Sequence, residues 1–73
     1  MGKLRVLIGR EICAILRQHG FAEVRQRGSH IIMQRTHGAD TITVPVPNHA
    51  EMRRGTQQAI IRQSGLDRIL FES

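Results

Sequence analysis

The sequence has no tryptophan or tyrosine, one cysteine and two prolines, and it carries six acidic side chains against eleven basic ones. Cys13 by itself can build neither an internal disulfide nor a cysteine zinc site, and its place in an apolar helical pattern makes it a buried thiol. The acids stand singly along the chain, which argues against the carboxylate pairs of a two-metal nuclease or a glycosidase. His19, His30, His37 and His49 show no short ligand spacing such as H-x-x-x-H, so no metal or other cofactor is expected. A Gly-rich phosphate loop of the Walker type, internal repeats and low-complexity stretches are also missing. Near the N-terminus the apolar run Val6-Leu7-Ile8 is ended by Gly9-Arg10-Glu11, too soon for a signal peptide, and Val6 stands where a myristoylation signal wants Ser or Thr. The expectation is a cytoplasmic protein with no membrane partner.

The 73 residues make one domain, residues 1–73. A chain this short buries only about 60–65% of the surface that its unfolded form exposes. The formal net charge is +5, and Lys3 is the only lysine among the eleven cations. Arginine's planar fork suits bidentate phosphate contacts, so nucleic acid is the leading partner class and an acidic protein the second.

Ile8, Ile12, Ile15 and Leu16 recur at helical spacing and predict an amphipathic helix ending at Gly20. From Phe21 to Arg27 the period becomes two, with Ala22, Val24 and Gln26 on one face and Glu23, Arg25 and Arg27 on the other. Gly28-Ser29 reads as a two-residue type II′ hairpin turn, with Gly28 supplying the positive φ. A second strand from His30 to Arg35, a loop from Thr36 to Asp40 and a third strand from Thr41 to Val46 complete an antiparallel meander. Pro45 and Pro47 place the third strand at an edge or at its own end. Asn48 with Glu51 resembles an N-cap signature for one short helical turn; Thr56 is expected to cap a helix over 57–64 that Gly65 terminates. Ala59, Ile60 and Ile61 give that helix its apolar side, and Leu66, Ile69, Leu70 and Phe71 suggest a tail folded back on the core. The expected fold is α+β, α-β-β-β-α, a three-stranded antiparallel sheet with two helices packed on one face and the other face open. Double-stranded-RNA-binding domains share this order, an analogy that favours RNA as partner.

Cleaving RNA without a metal takes a base for the 2′-hydroxyl proton, an acid for the departing 5′-oxygen and positive charge at the phosphate. His30, straight after the turn, is the candidate for proton transfer because an unperturbed imidazole titrates near pH 6.5. Arg25, Arg27, Ser29 and Arg35 are the expected RNA contacts, and Gly28 the residue whose turn aims His30. His19, in a last helical turn, complements the helix dipole; His37 is expected in a solvated loop and His49 in a first helical turn.

Three blocks resemble the HicA mRNA interferase toxins of bacterial and archaeal type II toxin–antitoxin systems. They are Gly20-Phe21 with Arg25-Gln26-Arg27-Gly28-Ser29-His30, then Thr43-Val44-Pro45-Val46-Pro47-Asn48-His49, then Arg54-Gly55-Thr56 with Ile60-Ile61-Arg62-Gln63-Ser64-Gly65-Leu66. The resemblance covers most of the chain in family order and spacing. It implies a double-stranded-RNA-binding-like fold, ribonuclease activity on messenger RNA, a cognate HicB-like antitoxin, and His30 as the catalytic histidine. Two departures stand out. Only Asp67-Arg68-Ile69-Leu70-Phe71 follows where the family usually adds a helical segment, and Ile31 stands where a second histidine or a bulky residue is frequent. No second catalytic group is identified. The alternative is a non-catalytic RNA-binding or protein-interaction module of the same fold; an ionisable group at position 30 separates the two, since binding alone does not need one.

Overall fold

The computed structural model describes residues 3–48 and 52–72. The first helix, α1, is Gly9–Gln18, and Ile12, Cys13 and Leu16 supply its buried stripe. Ile15 is half-buried, whereas Ile8 is the N-cap and is exposed. The Ile8 N–H donates to the Glu11 carboxylate at 2.9 Å, which satisfies one helix-start amide. At the other end Gly20, with φ 94°, donates to the Arg17 carbonyl, and Phe21 donates to the Leu16 carbonyl at 3.0 Å. This is a Schellman closure with its usual apolar pair, because Leu16 and Phe21 are both buried.

The three strands are β1, Ala22–Arg27; β2, His30–His37; and β3, Asp40–Pro47, in sheet order β1-β2-β3, all antiparallel. Gly28 has φ 57° and Gly38 φ 62°, and among the described residues no non-glycine has positive φ, Ser29 included, as a type II′ turn requires. The second hairpin is tighter than expected. A turn of Gly38-Ala39 replaces the five-residue loop, and His37 pairs with Asp40 inside the ladder while staying exposed. Gly38 makes this possible, since a positive φ at the first central position lets both strands run to the turn. The prolines behave as expected: β3 is an edge strand and Pro47 is its last residue.

Helix α2 is Arg54–Ser64 and ends at left-handed Gly65, φ 74°. It begins before the expected Thr56 cap: Arg53 is the N-cap, and the Gln57 N–H donates to the Arg53 carbonyl at 3.0 Å. Buried Met52 fixes the entry into the helix, so tertiary packing sets the start. Ile60 and Ile61 face the core, but Ala59 is exposed. A one-turn 3₁₀ helix, Arg68–Phe71, folds back and buries Phe71 completely, leaving Ile69 exposed. The helical turn expected from Asn48 to Glu51 and the placement of His49 lie outside the described residues. Ile31 and Met33 of β2 and Val44 and Val46 of β3 meet α1, α2 and Phe71 in one core. Both helices therefore lie on one face of the sheet.

Candidate functional site

Cross-strand partners share a face, so the core residues assign the rest of the sheet. In β2, Ile31 and Met33 point to the helices, which puts His30, Ile32 and Gln34 on the open face. Strand β1 departs from the expected alternation. Its register shifts between Glu23 and Arg25: Glu23 pairs with Met33, Arg25 with Ile32, Gln26 with Ile31 and Arg27 with His30. A bulge at Val24 adds one residue and reverses the phase. Gln26 joins Glu23 on the helix-bearing face, while Arg25 and Arg27 join His30 on the open one. Every β1 residue is exposed, so the expected apolar face of Ala22, Val24 and Gln26 does not enter the core.

His30 is exposed, with Arg27 directly across on β1 and Pro47 directly across on β3. Directly opposed Cβ atoms lie about 4.5–5.5 Å apart and diagonal neighbours about 7–8 Å, so the side chains of both Arg27 and Arg25 reach the imidazole's surroundings. Two hydrogen bonds brace the turn before it. The Asn48 N–H donates to the Ser29 carbonyl at 2.6 Å, and Gln26 Nε2 donates to the Gly28 carbonyl at 3.3 Å. Ser29 itself is exposed beside His30. Among the described residues the ion pairs are Arg17 with Glu23 and Arg68 with Glu72, so no described carboxylate neutralises Arg25 or Arg27.

Arg35 is not part of this group. It alternates with Gln34 onto the helix-bearing face, against Gly20, where an added Cβ would stand 3.4 Å from its Nε. Five residue steps along the strand separate it from His30, about 17 Å. Asn48 and Gln26 were missed as supports of the turn. Asn48 becomes legible only once Pro47 is paired with His30, which brings the end of β3 beside Ser29. Cys13 is inert by placement: burial pushes its thiol above the ordinary value, and nearby Arg17 offsets this only in part.

A family model described as the HicA toxin of bacterial toxin–antitoxin systems matches residues 9–66. The chain belongs to the HicA toxin family. The match begins at the first residue of α1 and runs past Gly65, so it takes in the whole sheet, the Gly28-Ser29 turn and His30. HicA membership makes this chain the toxin of a toxin–antitoxin pair and implies a cognate antitoxin as its partner. No curated protein matches the sequence. Among the described residues no helix is long and apolar enough to cross a membrane.

Proposed function

We propose that this HicA toxin is a cytoplasmic, metal-independent endoribonuclease that cleaves messenger RNA on its open sheet face, with His30 as the proton-transfer residue. The observation that carries the reading is the β1–β2 register. It places an exposed imidazole directly opposite Arg27 and diagonal to Arg25, on the face away from α1 and α2. A phosphate held by these two guanidiniums sits next to the imidazole, and the neutral ring takes the 2′-hydroxyl proton. The 2′-oxygen then bonds to phosphorus as the bond to the 5′-oxygen breaks, and the departing oxygen takes a proton from water. Arg25 and Arg27 stabilise the charge that builds on the phosphate, and Ser29 supplies a further polar contact. A HicB-like antitoxin silences the toxin by covering the same face.

The test compares the wild-type chain with His30→Ala on messenger RNA in the presence of a chelator. The side chain is exposed, so the variant folds. Loss of general acid–base catalysis lowers the cleavage rate by about 10²–10⁴-fold. An equal rate in the folded variant removes His30 from the chemistry. Wild-type RNA binding without cleavage supports a non-catalytic binding module instead.

A further inference from the structure

We propose that a groove formed by Arg5, Arg53 and Arg54 holds a second phosphodiester of the same RNA strand, distant from the bond being cut. This rests on the reading of the chain as an RNA-cleaving toxin. The groove encloses about 330 Å³ between the N-terminal segment and the start of α2. Its shape is built, because Arg5 is tied at both ends of its peptide. The Arg5 N–H donates to the Phe71 carbonyl at 2.9 Å, and its carbonyl accepts from Nε2 of buried Gln57 at 2.9 Å. All three arginines are exposed, and none forms an ion pair with a carboxylate among the described residues.

The charge arrangement is unfavourable for the protein alone. Arg53 and Arg54 stand at the positive end of the α2 dipole, no acidic residue occupies the first turn, and no side chain caps it. Acidic groups are the ones that stabilise this position and cations the ones that destabilise it. An anion in the groove lowers this cost, offsetting part of the charge of the three guanidiniums and meeting the amides of the first turn that no side chain caps. The cost borne by the free protein is thus reduced by the ligand. Leu4, Val6 and Met52 line the groove beside the three arginines, so it offers a nucleotide an apolar wall as well as contacts to its phosphate.

Position supports continuity with His30. Arg5 lies four residues before Gly9, and Gly9 packs against the Pro47 carbonyl and Asn48, at the end of β3 that pairs with His30. Four residues span at most about 14 Å. The groove lies on the helix-bearing side and His30 on the open face, so a single strand that occupies both passes round the end of β3.

The experiment uses Arg53→Gln/Arg54→Gln in the full chain, with single-stranded RNA long enough to reach both places and a trinucleotide too short to do so. Binding is read in the His30→Ala background and turnover in the His30 protein. For the long RNA, the slope of log affinity against log salt becomes shallower by about 0.7–1.4 units, since each lost phosphate contact removes about 0.7 for single strands. KM rises about tenfold with kcat unchanged, and the trinucleotide is unaffected. The melting temperature stays at or above that of the wild type, because the substitutions remove cations from a helix N-terminus. An unchanged slope and KM in this folded variant overturns the groove alone. The same result with weakened antitoxin binding also overturns it, and assigns the groove to the protein partner. Wild-type protein that binds no RNA overturns the proposed function, and this inference with it.

Discussion

Two helical glycines should respond to the same substitution with opposite signs. Alanine is the better helix former by about 0.8–1.0 kcal/mol, so Gly→Ala in a helix ordinarily stabilises. Gly55 lies in the first turn of α2 with no atom within 4 Å of an added Cβ and no positive φ. Gly55→Ala is therefore expected to stabilise by about 0.4–1 kcal/mol. Gly9, the first residue of α1, is buried, and an added Cβ collides with the Pro47 carbonyl oxygen and stands 3.1 Å from the Asn48 Cα. Both obstacles are backbone, so no rotamer change relieves them, and α1 must move away from the end of β3. Overpacking of this kind costs about 1–3 kcal/mol. For a domain of this size that lowers the melting temperature by roughly 4–8 °C per kcal/mol. Urea unfolding is the assay, with the m-value held equal so that a shifted midpoint reads as stability. The displacement also strains the Asn48–Ser29 hydrogen bond behind His30, so cleavage by Gly9→Ala falls at temperatures where the protein is still folded. A Gly9→Ala midpoint equal to or above that of the wild type refutes the packing argument, whatever Gly55→Ala does.

Changing Arg25 and Arg27 together to Gln should flatten the salt dependence of RNA affinity by about 0.7–1.4 units, and a retained wild-type slope would place the RNA footprint elsewhere. Hydrogen exchange on the toxin–antitoxin complex should show added protection from Arg25 to Gln34; inhibition without it would mean that the partner acts from a distance. The antitoxin on-rate should fall as salt rises while its dissociation changes less, because complementary charge mainly steers encounter. Stability should decline as pH rises above the thiol's ordinary pKa of about 8.5 and go on declining up to its raised folded value, since Cys13 ionises first in the unfolded chain. With no tyrosine and one lysine in the chain, Cys13→Ala should remove most of that alkaline slope, and an unaltered slope would show that the thiol is not its source.

The open-face site has a different character from the rest of the molecule, because it depends on a shift that no pattern announces. A regular strand from Phe21 to Arg27 already puts Arg25 and Arg27 on a common face, but it does not say which face His30 shares. The bulge at Val24 lies in a strand whose residues are all exposed, so hydrophobic alternation carries no record of it. Arg35 illustrates the converse. In sequence it is a cation near a histidine; in the sheet, strand alternation turns it onto the helix side beside Gly20.

By itself the sequence determined what depends on neighbouring residues. The glycines at positions 20, 28 and 65 take positive φ because the chain needs that conformation there and only glycine adopts it without a Cβ penalty. The α-β-β-β-α order follows from the periods between them, and Pro45 and Pro47 exclude an interior place for the third strand. Tertiary structure decided everything that joins distant segments. It started α2 at Arg54 rather than Gln57, seated Gly9 against Pro47, set Arg27 opposite His30, and gathered Arg5 with Arg53 and Arg54. The physical reason is range. Turn and helix preferences are set within a few residues, whereas register, packing and the meeting of charges are settled by which segments bury surface against each other.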